Sequence, residues 1–139
     1  MFRNILVALD ESPEAARALQ VAIGLAIDLP AELTAISVIE PQPAYYSFSP
    51  IAYTSSQWKD DKRKLYSSLQ ADARQRAKAV GLWIDTELMD GDEVGSILRC
   101  AREKRVDLLI VGMPQHRILV GNTGKQISER SPCPVMGVR

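Results

Sequence analysis

One histidine and two cysteines are all that this chain of 139 residues offers to soft-metal or thiol chemistry. His116 stands alone, Cys100 and Cys133 form no disulfide framework, and no Gly-x-Ser-x-Gly elbow occurs. No zinc site and no nucleophile–base triad can therefore be put together from motifs. A reduced, cytoplasmic setting is the default for such cysteine usage. A surplus of one charge sign is missing too, because 17 Lys+Arg balance 17 Asp+Glu. That balance removes the electrostatic footprint of a nucleic-acid or anionic-membrane binder. No apolar run approaches the ~20 residues that span a bilayer. The opening MFRNILVALDESPE meets an acidic turn after a short apolar stretch, which reads as a strand rather than a signal peptide.

What is present is a core. Hydrophobic residues make up 46% of the chain, enough for one domain over residues 1–139 and too few residues for two. Ile5 to Leu9 and Leu108 to Val111 are continuous apolar runs, the pattern of strands buried on both faces. After the first run, Ser12, Pro13 and Glu14 read as an N-cap, a first helical residue and an acid at the positive helix end. Leu19, Ala22, Ile23, Ala26 and Ile27 then give one apolar helix face that Pro30 stops. Leu33 to Ile39 makes a second strand. A segment from Glu40 to Ser56 carries Pro41, Pro43, Pro50, Tyr45, Tyr46, Phe48 and Tyr53 and reads as a long loop, functional or simply folded over the core edge.

From Trp58 a helix is expected to about Val80, with Leu65, Leu69, Ala73, Ala77 and Val80 inward and Gly81 capping its end. The mixed run Lys59 to Lys64 reads as a solvated face. Leu82 to Met89 is a third strand near the sheet edge. Asp90-Gly91-Asp92 turns the chain into a third helix carrying Val94, Ile97, Leu98 and Ala101, with Cys100 a small, partly buried residue on it. A short helix from Thr123 to Arg130 and a fifth strand from Val135 to Val138 close the series, with Cys133 a small residue leading into that strand. Strands alternating with helices mean an α/β fold: a five-stranded, mostly parallel sheet with helices on both faces. Ligands on such sheets bind beyond the carboxyl ends of the strands, where strand order reverses. Asp10, Val38 and Gly112 fall at such ends, and loops 40–56 and 113–122 flank the crevice.

Four pieces of sequence in order and spacing, ILVALDES, LTAISVIEP, DGDEVGSILRCAREKRVDLLIVG and GNTGKQISERSPCPVMGVR, resemble the universal stress protein family along essentially the whole chain. The resemblance implies a Rossmann-like, adenine nucleotide α-hydrolase-like fold. It also implies an adenine nucleotide, AMP, ADP or ATP with or without Mg²⁺, bound with little or no hydrolysis by a stress-signalling module. By this resemblance Asp10 takes the ribose or adenine side and Ala8 and Leu9 sit beside the base. Val38 forms part of the apolar wall, Val111 and Gly112 end the fourth strand, and Gly121, Asn122 and Thr123 give donors to phosphate. Nucleotide-binding members carry G-x2-G-x9-G-[ST] after that strand. Here Gly112 and Gly121-Asn122 match its ends, Gln115 stands where the middle glycine belongs, and the spacing is four residues short. A family member that has lost nucleotide binding and works as a dimeric interaction module therefore stays open beside the nucleotide binder.

Individual residues carry two readings each. Asp10 is a ligand contact or a turn acceptor. His116, Arg117 and Lys125 neutralise phosphate or are solvated. Asp10-Glu11 and Asp90 imitate the acid pocket of a phosphoaccepting receiver domain, but that reading is discounted because Gly112 stands where a hydroxyl residue is required after the fourth strand, and the sequence reaches Arg139 without the expected lysine and final helix. A dinucleotide oxidoreductase lacks its G-x-G-x-x-G after the first strand, and an N-type ATP pyrophosphatase its Ser-Gly-Gly. The apolar terminal strand PVMGV invites pairing with a second copy, and the resemblance implies a homodimer through it. Protein partners are not named by the sequence, and neither nucleic acid nor membrane is expected.

Overall fold

The computed structural model describes residues 1–44, 53–114 and 123–139. Tyr45, Tyr46, Phe48 and Pro50 of the long loop lie outside the described residues. So do His116, Arg117, Gly121 and Asn122.

The described chain runs β1 (Asn4–Ala8), α1 (Pro13–Asp28), β2 (Glu32–Ile39), α2 (Ser55–Ala79), β3 (Ile84–Asp90), α3 (Glu93–Glu103), β4 (Leu108–Gly112), α4 (Thr123–Arg130) and β5 (Val135–Val138). The strands form one sheet in the order β3-β2-β1-β4-β5, and each of the four neighbouring pairs is parallel. The chain winds outward from β1 to β3, then returns to the other side of β1 with β4. Two crossovers that diverge there leave a crevice at the carboxyl ends of β1 and β4.

Alternation along the buried strands feeds two cores. Ile5 and Val7 of β1 and Leu108 and Ile110 of β4 join one apolar cluster with Ala18, Ala22 and Ala26 of α1 and Ala73 and Ala77 of α2. Leu6 and Leu109, on the opposite face, join Ile97, Leu98 and Ala101 of α3 and Ile127 of α4. The small residues on α1 and α2 let both helices lie close to the sheet. At the start of α1, Ser12 accepts the Ala15 N–H at 3.1 Å and Pro13 occupies the first turn, as the sequence implies. Asp92 caps α3 in the same way, taking the Gly95 N–H at 2.7 Å.

Two helix faces depart from the expectation. Ile27 is 44% exposed, because Ala26, with Leu25 and Leu29 beside it, is what meets the core at this end of α1. On α2 the buried residues are Tyr66, Gln70, Ala73 and Ala77, whereas Leu65 is 37% and Val80 54% exposed. The helix also begins at Ser55, earlier than Trp58, because Thr54 and Gln57 form a reciprocal capping box. Gln70 is buried because its amide donates to the Glu87 carbonyl of edge strand β3 at 2.7 Å. A polar side chain that satisfies an edge strand has thus displaced leucine from the inward stripe. At the other end Gly81 adopts φ 79°. Its N–H reaches the Lys78 carbonyl and the Leu82 N–H the Ala77 carbonyl, which closes the helix in a Schellman motif.

Candidate functional site

The crevice is a cavity of about 530 Å³ at the carboxyl ends of the central strands. Seven of the nine residues that the sequence singles out line it: Ala8, Leu9, Asp10, Val38, Val111, Gly112 and Thr123. Backbone geometry explains the convergence. Parallel pairing of β1 with β2 and β4 brings Ala8 opposite Ile36 and Val7 opposite Ile110, so the ends of three strands open into one space. Gly121 and Asn122 lie outside the described residues, directly before Thr123 at the start of α4.

Asp10 combines its two readings. One carboxylate oxygen accepts the Ser12 N–H at 2.8 Å, which holds the turn into α1. The same side chain borders the cavity. Gly112 is a different matter. A Cβ built on it would lie 2.6 Å from the Glu14 carbonyl carbon and 2.7 Å from the Ala15 nitrogen. The absent side chain is what lets β4 end against the first turn of α1. The glycine's first duty is packing, and the cavity wall depends on it. Lys125 lies 3.9 Å from Glu129 one helical turn on and is exposed, so its solvated reading holds. Burial pushes the Cys100 thiol up to about 11, the mark of an inert core cysteine. Cys133 is half-buried and packs against the α3–α4 core, with Ser131 accepting its N–H at 3.2 Å.

Other residues reach the cavity that the motifs did not indicate: Glu40, Trp58, Lys62, Tyr66 and Glu93. Trp58, Lys62 and Tyr66 recur at four-residue spacing on α2 and so present one stripe. The Lys62 ammonium lies 5.0 Å from the Trp58 ring centroid and 5.7 Å from that of Tyr66, and it pairs with Glu11 at 3.1 Å. The run Lys59 to Lys64 is therefore not solvated throughout, since Lys62 turns inward. Trp58 Nε1 donates to the Glu40 carbonyl at 2.9 Å, which pins the helix to the end of β2. Burial would raise the Glu11 carboxyl, but its backbone N–H and Lys62 outweigh that and hold it below the usual value. Burial, then the neighbouring Glu11 charge, pushes the Tyr66 phenol well above its own.

Glu93, at the first turn of α3, is the most perturbed carboxyl here. Burial, then the charges of Glu40 and Asp10 and a hydrogen bond with Glu40, push it up to about 7. Three carboxyl groups from three segments thus border one space, and burial together with that crowding is what raises Glu93. Helical spacing of an aromatic–lysine–tyrosine stripe was a signal available in the sequence. The meeting of Glu40 with Glu93 was not, because it depends on β2 and α3 lying together.

With this geometry in place the relationship to known proteins can be read. A model of the universal stress protein family matches residues 1–139. The chain belongs to the universal stress protein family. Universal stress protein YxiE of Bacillus subtilis is 31% identical over 148 aligned positions, covering 100% of both chains. The structure of universal stress protein UspA from Lactobacillus plantarum superposes with a TM-score of 0.84 at 24% identity, covering 99% of this chain and 98% of that one. A universal stress protein in complex with cAMP gives a TM-score of 0.77 at 24% identity over 99% of this chain and 96% of that one. At such identities the two structures establish the α/β fold of this universal stress protein. Among its described residues no helix is long and apolar enough to cross a membrane.

Proposed function

We propose that this universal stress protein is a small cytoplasmic signalling module, a single domain that binds an adenine nucleotide in the crevice with little or no hydrolysis. The observation that carries the reading is the cavity of about 530 Å³ at the strand-order reversal, a volume that suits a nucleoside with its phosphate. Ala8 is small where the strand meets the cavity, the Asp10 carboxylate offers acceptors to hydroxyls, and Thr123, the first residue of α4, lines the same space. The fold neighbour that holds cAMP supports the same reading. The test is to denature protein purified from its producing cells and identify released nucleotide by chromatography and mass. Stoichiometric adenine nucleotide is the expected result. If none is released, and millimolar adenosine, AMP and ATP all leave the melting temperature unchanged, the protein is instead an interaction module. The shortened glycine pattern and the packing duty of Gly112 favour that second reading.

The same reading includes a homodimer through β5, which occupies one edge of the sheet. The Pro134 and Val138 carbonyls accept from Leu109 and Met113 on the β4 side. Alternation then aims the N–H groups of Val135 and Gly137 at the open edge. Replacing Val135 by proline removes one outward donor and no bond to β4. Light scattering should report a dimer for the native chain and a folded monomer for Val135→Pro. A monomer in both rules the interface out.

A further inference from the structure

The described lining of the cavity is lopsided in charge. Asp10, Glu11, Glu14, Glu40 and Glu93 face Lys62, the one cation among the described lining residues. Lys62 is already committed, held 3.1 Å from Glu11 and over the rings of Trp58 and Tyr66. Glu11 pairs with Lys62 and Glu14 lies 3.9 Å from Arg17, which leaves Asp10, Glu40 and Glu93 with no paired cation among the described residues and Asp92 behind Glu93. The three meet from the ends of β1 and β2 and the start of α3. Among the described residues no three such side chains are arranged to hold a metal ion, so the group is not a preformed cation cage that would cancel the charge.

Such a wall has a definite chemical preference. Carboxylates accept hydrogen bonds from ribose hydroxyls and from the exocyclic amine of adenine. The same groups repel every negative charge placed in the cavity, and repulsion is strengthened where water is excluded. Each phosphate added to a nucleoside brings more charge into that space.

We propose that the carboxyl groups of Asp10, Glu40 and Glu93 make this crevice select ligands of low negative charge, an unphosphorylated adenine nucleoside over its metal-free triphosphate. The inference rests on the reading of the crevice as an adenine-ligand site and moves its preference to the least charged ligand that site can take. Asp10 and Glu40 accept from the sugar and base, and Glu93 beside them belongs to the same acidic wall. The selectivity is thus set by groups outside the glycine pattern.

The experiment is titration calorimetry of the full chain with adenosine and with ATP in the presence of chelator at pH 7.5, repeated on Glu40→Gln and Glu93→Gln. Adenosine should bind at least ~10-fold more tightly than ATP, and each substitution should narrow that ratio several-fold. Both variants are isosteric, and Glu40 is exposed, so Glu40→Gln carries the test if Glu93→Gln is poorly folded. Equal or tighter binding of ATP overturns the proposal while leaving nucleotide binding intact. A ratio unchanged in Glu40→Gln also overturns it, by placing selectivity elsewhere. If neither compound binds, the nucleotide-binding reading falls and takes this one with it.

Discussion

Substituting Gly112 by alanine should lower stability by about 3 kcal/mol, near the upper end for an overpacked site, or roughly 10 °C in melting temperature for a chain of this size. The added methyl would meet backbone at 2.6 and 2.7 Å and the Glu14 Cβ at 2.8 Å. None of these atoms can swing aside. The first turn of α1 is fixed by the Ser12 cap and by Pro13, and β4 is fixed on both sides by β1 and β5. Relief requires the helix to move off the sheet, which also widens the cavity wall, so ligand affinity should fall with stability. Gly24 provides the contrast. It sits in the same helix with nothing within 4 Å of a built Cβ. Gly24→Ala should raise stability by roughly 0.5–1 kcal/mol through helix propensity. Thermal denaturation of the two variants side by side decides the matter, and a Gly112→Ala protein as stable as the parent would mean that strand and helix do not meet as described.

Glu93→Gln should make the protein more stable at pH 8 and leave it nearly unchanged at pH 4.5. The direction follows from proton linkage. Glu93 titrates near 4.5 when unfolded and is pushed up to about 7 in the fold. Between those values the folded state holds a proton that the unfolded state has lost, so stability falls as pH rises through the window and is flat above it. Linkage gives about 1.4 kcal/mol per unit of pKa, and discounting for the partial exposure of Glu93 leaves about 2 kcal/mol at pH 8. Loss of a negative charge at the start of α3 returns about a quarter of that, since a surface acid there contributes roughly 0.5 kcal/mol. The expected gain is about 5 °C at pH 8. Glu40→Gln should act in the same direction by removing the nearest like charge. Melting curves every half unit from pH 4.5 to 8 test it, and parallel curves for parent and Glu93→Gln would show that no buried proton is held there.

Both effects were only partly legible in the amino-acid sequence, and the reasons differ. The sheet was readable because parallel strands buried on two faces must be apolar without interruption, as Ile5 to Leu9 and Leu108 to Val111 are. Caps were readable because Ser12, Asp92 and Gly81 act on atoms within a few residues of themselves. The inward face of α2 was not. Leu65 and Val80 outrank Gln70 by hydropathy, yet Gln70 is the buried one because a carbonyl on β3 receives its amide. The site divides in the same manner. Asp10 and Gly112 announce themselves by lying at strand ends in a family pattern, although the pattern does not say that Gly112 is reserved for α1. Glu40, Lys62 and Glu93 belong to three different elements, and only the fold brings them to one cavity. Sequence therefore located the crevice and one part of its lining, and missed the part that α2, α3 and the end of β2 contribute.

The two halves of α2 are held by different forces. Its buried residues begin at Tyr66, and the three turns before it, Ser55 to Leu65, contribute none. That segment is fastened by the Lys62–Glu11 pair, the Arg63–Asp90 contact at 3.4 Å and the Trp58 hydrogen bond to Glu40. Exposed pairs of this kind are worth about 1 kcal/mol or less each, far below the cost of lifting Ala73 and Ala77 from the core. The helix is thus bolted to the core at one end and held by polar contacts at the other. Two of its three fastenings, the Lys62–Glu11 pair and the Trp58–Glu40 bond, involve residues that border the crevice, so a ligand there would meet them before it met the core. Occupancy can be converted into a change of outer surface, the kind a partner protein can read, without any strand changing its place.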